Sequence, residues 1–182
     1  PACAETNFAA RTELADLRGR VALLTGGRVK IGYQAGLKLL RCGAHLIVTT
    51  RFPRNAAERY AQEPDFGEWG HRLEIHGLDL RHIPSVEAFC RGLNATRQRL
   101  DFIINNACQT VRRPPDFYRH MMEGELSAAK DQPEHVRRLL GHGPAPVAPA
   151  ELATKGVVSA QLSQVPLLAD EYLFRAILIP FL

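Results

Sequence analysis

The sequence predicts an α/β fold, a parallel sheet with helices on both faces, and three observations carry that expectation. Between residue 20 and about residue 98, short aliphatic runs alternate with amphipathic stretches at near-regular spacing, the rhythm of strand–helix–strand units. The first run, Val21 to Leu24, is uninterrupted by polar residues, as suits a parallel strand buried on both faces. Thr25-Gly26-Gly27 breaks it, and Ile31 to Leu40 then carries apolar residues at helical spacing. A strand turning through glycines into a helix gathers free backbone N–H groups and the positive helix end at one point, which suits an anion such as phosphate.

The elements follow in order. Val21–Thr25 is the first predicted strand, and its helix runs from about Ile31 to Cys42, where Gly43 supplies the stop. Leu46–Thr50 is the second strand, followed by a helix near Asn55–Gln62. Leu73–Gly77 is the third, with a helix from about Pro84, a favoured first-turn proline, to Arg97. Leu100–Asn105 is the fourth strand. Right-handed crossovers give these four the order 3-2-1-4. After about Val111 the rhythm stops. Arg112 to Pro115 reads as a turn or loop, Asp116–Lys130 as a helix with a polar face, Pro133–Leu140 as a short helix, and 141–149 as a proline-rich link. One strand, Gly156–Ser159, and an apolar tail complete the reading. The expected organisation is an extension over 1–16, an α/β half carrying the glycine turn over 17–111, and a divergent helical and proline-rich segment over 112–182.

Bulk properties narrow the function. At 182 residues the chain is long enough to bury a core. The net charge of +4 is mild and its basic residues are scattered, so nucleic-acid binding is not suggested. Cys3, Cys42, Cys90 and Cys108 show no CxxC or zinc spacing; they read as reduced thiols, the expected compartment is the cytoplasm, and no metal site is expected. Residues 1–15 lack an apolar stretch of signal-peptide type, and the apolar run Ala176 to Leu182 is too short to span a bilayer.

Residues 17–110 resemble the amino-terminal half of a short-chain dehydrogenase/reductase, a family with a Rossmann-like sheet. Four landmarks carry the resemblance. Leu17-Arg18-Gly19-Arg20-Val21 is similar to the family's entry into its first strand, and Thr25-Gly26-Gly27-Arg28-Val29-Lys30-Ile31-Gly32 to its TGxxxGxG turn. Asp79-Leu80 follows the third strand where the family's adenine-contacting Asp stands, and Asn105-Asn106-Ala107-Cys108 resembles NNAG. Two departures stand out: Lys30 replaces the middle glycine, and Cys108 replaces the last glycine of NNAG. Either Lys30 points outward and adds charge near the phosphates, or the turn is altered and binding weakened.

The resemblance implies a nicotinamide dinucleotide cofactor and a carbonyl or alcohol substrate. The residues expected at the cofactor are Thr25, Gly26, Arg28, Ile31, Gly32, Arg51, Asp79, Leu80, Asn105 and Ala107. The second strand ends Thr49-Thr50-Arg51, with no acidic residue until Glu58. An NAD site places a carboxylate there for the ribose 2′-OH, whereas a 2′-phosphate calls for cations such as Arg28 and Arg51. NADP is therefore favoured over NAD.

The family's catalytic pair is Tyr-x-x-x-Lys, supported by a Ser and an Asn. Tyr118 and Tyr172 are the tyrosines after residue 105, and neither is followed by the lysine. Asn does not occur after Asn106. Ser159, thirteen residues before Tyr172, makes these two the weak catalytic candidates. The fold is expected to be incomplete on its C-terminal side, as in a truncated product or part of something longer. Two functions follow: an NADP-dependent oxidoreductase with its catalytic half missing, or a catalytically silent NADP(H)-binding module or regulatory subunit. A sheet edge left exposed leaves room for a homo-oligomer or another partner.

Overall fold

The computed structural model describes residues 5–6, 13–108, 115–126, 132–141 and 159–164. Four parallel strands, β1 (Val21–Thr25), β2 (His45–Thr50), β3 (Leu73–Gly77) and β4 (Phe102–Asn105), form one sheet in the order β3-β2-β1-β4. This is the predicted order. Ala22 lies opposite Leu46 on one side and Phe102 on the other, and Leu46 in turn lies opposite Leu73.

Side chains alternate across the strands and so feed two cores. On one face Ala22, Leu24, Leu46, Val48, Leu73 and Ile75 are buried against α1 (Lys30–Arg41), which contributes Leu37 and Leu40, and α2 (Pro53–Ala61), which contributes Ala56, Ala57 and Tyr60. Trp69, from the short α3 (Phe66–Trp69), closes this core edge-on to Tyr60, with ring centroids 6.2 Å apart. On the other face Ile47, Leu78 and Phe89 pack with Val21, Leu23, Val86 and Leu93, the last two together with Phe89 lying on α4 (Ile83–Thr96).

The boundaries have local causes. Gly43, at φ +95°, ends α1. Its N–H bonds to Leu40 O (2.9 Å) and the N–H of Ala44 to Leu39 O (3.1 Å), the paired bonds of a glycine-terminated helix. Proline opens α2 two residues earlier than the sequence reading placed it, because Pro53 fits the first turn. β4 begins at Phe102 rather than Leu100. Asp101 spends its backbone N–H on Val21 O and its carboxylate on the N–H of Val21, at 2.9 and 2.8 Å.

Beyond β4 the structure corrects the sequence reading. The expected helix over Asp116–Lys130 is a 3-10 turn at Pro115–Tyr118 followed by α5 (Arg119–Leu126), while 127–130 lie outside the described residues. Only Glu134–Arg137 of the expected Pro133–Leu140 helix is helical (α6). Leu139 to Gly141 instead run alongside β3: Ile75 N–H donates to Leu139 O (2.7 Å) and Gly141 N–H to Ile75 O (2.9 Å). Edge hydrogen bonds of β3 win over another helical turn, and Val136 and Leu139 join the larger core. Ser159 starts a helix, α7 (Ser159–Leu162), rather than ending a strand; 156–158 and Tyr172 lie outside the described residues. Cys42, Cys90 and Cys108 form no disulfide. No helix among the described residues is long and apolar enough to cross a membrane.

Candidate functional site

The carboxyl ends of β1 and β4 meet the start of α1 at the glycine turn. Gly26 has φ +71° and donates its N–H to Thr49 O at 2.8 Å, which ties the turn to β2. A Cβ on Gly26 would stand 2.9 Å from Ala107 Cα. At Gly32 the fit is tighter still, because a Cβ there would lie 2.4 Å from both Asn106 Nδ2 and Gly26 O. Asn106 Nδ2 donates to Thr25 O (3.2 Å) and Gly26 O (3.1 Å). Thr25 Oγ1 accepts the N–H groups of Asn106 (3.1 Å) and Ala107 (3.0 Å). The result is a small-residue cradle leading into α1, whose first amides, groups that no helix satisfies internally, receive no side-chain cap from Val29. Ile31 projects from this first turn at 80 % exposure. Asn105 pairs with Thr25 across the sheet, and both it and Ala107 are exposed.

Lys30 keeps the backbone its position demands. Its φ of 54° lies in the left-handed region that glycine enters freely, and its side chain is exposed. The turn therefore survives the substitution at a backbone cost of about 1–2 kcal/mol. Lys30→Gly is expected to stabilise the protein by about 0.5–1 kcal/mol, the strain relieved less the entropy glycine loses on folding. Urea unfolding would show it as a higher midpoint, and a lower midpoint would refute the strain account.

Beside the cradle, at the end of β2, two guanidinium groups stand by one aromatic ring. Arg28 and Arg51 lie 5.4 and 5.6 Å from the Phe52 centroid. Arg28 Nη1 donates to Asn55 Oδ1 (2.8 Å), and Arg51 Nη2 donates to Tyr118 Oη (3.1 Å). Burial, and then the nearby Arg59, hold the Arg28 pKa below the usual arginine value; Arg51 pushes the same way. Cations crowded this closely make a site that favours an anion. A cavity of about 710 Å³ opens here between Arg28, Lys30, Asn55, Arg59, Tyr118 and Met121.

On the β3 side, Asp79 is buried, and Arg81 holds its carboxylate through Nε and Nη2 at 2.7–3.0 Å and through its backbone N–H. Burial opposes ionisation, but the Arg81 hydrogen bonds win and hold the carboxyl below its ordinary value. Leu80, next in sequence, is exposed. The weak catalytic candidate Ser159 donates its hydroxyl to Arg51 O at 2.8 Å and faces Gly77. It thus sits at the β2–β3 side of the sheet, across β1 from β4.

The sequence profile described as short chain dehydrogenase matches residues 20–124. The chain belongs to that family. An uncharacterized protein of Acanthamoeba polyphaga mimivirus is 40% identical over 115 residues, covering 60% of this chain and 24% of the viral protein. Dehydrogenase/reductase SDR family member 13 of Bos taurus is 34% identical over 105 residues, 56% of this chain and 28% of that one. Retinol dehydrogenase 14 of Mus musculus is 35% identical over 102 residues, 50% and 30% of the two chains. The match thus spans under a third of the length of each of these relatives.

Family membership implies a nicotinamide dinucleotide, and the cradle fits one. Gly26 and Gly32 let the turn close against Ala107 and Asn106, and the N-cap of α1, Val29, gives its first amides no side-chain partner, which leaves them for an anion. The sequence reading missed several residues here. Asn106 stood inside the quoted motif but was passed over for its neighbours, although an amide side chain between two turns is a plain signal for a tie. Phe52 and Asn55 carry no local signal in the sequence, and Tyr118 draws notice there only as a tyrosine without its lysine.

Proposed function

We propose that this chain is the nucleotide-binding half of an NADP-dependent oxidoreductase acting on a carbonyl or alcohol substrate. The observation that carries the cofactor choice is the pair Arg28 and Arg51 about Phe52, at a strand end, Thr49-Thr50-Arg51, that offers no carboxylate to a ribose 2′-OH. In this reading Thr25, Gly26, Ile31 and Gly32 shape the pyrophosphate cradle. Arg28 and Arg51 take the 2′-phosphate, Asp79 and Leu80 border the adenine, and Asn105 and Ala107 bound the nicotinamide side. When bound, the dinucleotide would donate the hydride to a carbonyl or accept it from an alcohol. The protein residues bind and orient it: amides neutralise the pyrophosphate, and guanidinium groups match a phosphate with paired hydrogen bonds.

A second reading, a catalytically silent NADP(H)-binding module, is favoured by one specific observation. The hydroxyl of Ser159, the serine among the catalytic candidates, is spent on the backbone carbonyl of Arg51. Titration with NADPH and NADH followed by nucleotide fluorescence, then assay against ketones and aldehydes, tests both. NADPH is expected to bind at least roughly tenfold tighter than NADH. Preference for NADH would refute the Arg28–Arg51 argument, and binding without turnover would select the silent module.

A further inference from the structure

The groups assigned above to the 2′-phosphate are already engaged by the chain itself. Arg51 donates to Tyr118 Oη and lies over the Tyr118 ring, 4.8 Å from its centroid. Arg28 Nη1 lies 3.3 Å from Met121 Sδ. Glu125, only 3 % exposed, sets its carboxylate on the start of α2, where Oε1 accepts the N–H of Asn55 (2.8 Å) and Oε2 that of Arg54 (3.2 Å). Asn55 is the same residue whose side chain receives Arg28. A carboxylate thus occupies a helix N-terminus, a position that favours anions, beside two cations. The second returning segment closes the neighbouring ground. Ser159 bonds to Arg51 O, and Leu162 O accepts from Arg81, the partner of Asp79.

We infer that Pro115–Leu126 is a displaceable strap that competes with the 2′-phosphorylated adenosine end of the dinucleotide for Arg28, Arg51 and the first amides of α2. The inference rests on the nucleotide reading above and adds a self-competition to it. Tyr118 and Glu125 stand in for ring and anion, so a nucleotide must lift the strap before it gains both arginines. Apparent affinity is then the intrinsic affinity multiplied by the fraction of molecules in which the strap is lifted.

The test uses the full chain, the double variant Glu125→Gln/Tyr118→Phe, and the exposed neighbour variant Glu123→Gln as control. Calorimetry with 2′,5′-ADP and with 5′-AMP measures the gain from the 2′-phosphate, and hydrogen exchange follows the amides of 119–126. The double variant is expected to bind 2′,5′-ADP roughly tenfold tighter, the factor equivalent to about 1.4 kcal/mol. Neither 5′-AMP binding nor the control should change. Saturating the unaltered chain with NADPH should speed exchange across 119–126 while the amides of Arg54 and Asn55 stay protected. Should the double variant not fold, this exchange measurement decides alone. Equal 2′,5′-ADP affinity in all three chains would overturn the strap. So would weaker binding by the double variant, or slower exchange across 119–126 with NADPH, since either would make the segment a supporting lid. Failure of every chain to bind any nucleotide would overturn the nucleotide reading itself, and the strap with it.

Discussion

Alanine at position 32 is expected to cost about 3–5 kcal/mol of folding stability and to abolish measurable nucleotide binding. The added methyl would sit 2.4 Å from Asn106 Nδ2 and from Gly26 O. Gly26 O belongs to a backbone pinned by its N–H to Thr49, so it cannot retreat without breaking the link to β2. Asn106 can retreat only by giving up its bonds to Thr25 O and Gly26 O. Overpacking of this kind costs about 1–3 kcal/mol, and each lost hydrogen bond adds about 1 kcal/mol. Urea unfolding reads the first effect and NADPH fluorescence the second. Adding Asn106→Ala should recover part of the overpacking loss, because it opens space on one side of the methyl. Strict additivity of the two substitutions would show that they do not share this contact.

Leucine in place of Arg51 is expected to erase the preference for NADPH over NADH by weakening NADPH alone. A hydrogen bond to a charged group contributes about 1.5–3 kcal/mol, so the ratio of the two affinities should fall roughly 10- to 100-fold. NADH should bind no more weakly than before, since it offers no 2′-phosphate, and the bond from Arg51 to Tyr118 disappears in the same variant. An unchanged ratio would place the 2′-phosphate elsewhere. Equal losses for both nucleotides would mean that Arg51 supports the fold, not the choice of cofactor.

The sheet and its order were legible in the sequence because Val21–Leu24, Leu46–Val48 and Phe102–Ile104 are short apolar runs, Leu73–Gly77 falls between two helical stretches, and right-handed crossovers leave few ways to arrange four strands. The cradle was legible for the same reason: Gly26 and Gly32 are local requirements of a turn, readable one residue at a time. What lies after β4 was not. Leu139 and Leu140 look helical by pattern, yet together with Gly141 they are drawn out along the edge of β3, a partner more than sixty residues away in sequence. Glu125 reads as one more surface acid on a polar helix face until α2 places two amides before it. Lys30 was an open question because side-chain identity alone does not say whether a backbone will accept φ 54°. Only the packed surroundings answer that.

The contact between β3 and Leu139–Gly141 also gives the sheet a direction of growth. Hydrogen bonds at Ile75 occupy its β3 margin, whereas β4 pairs with β1 alone among the described residues and leaves Ile103 at 60 % exposure. Any strand that enlarges this sheet must therefore arrive beside β4, next to Asn105, Asn106 and Ala107. By this asymmetry, the open margin of the sheet among the described residues and the turn that carries Asn105, Asn106 and Ala107 share one border.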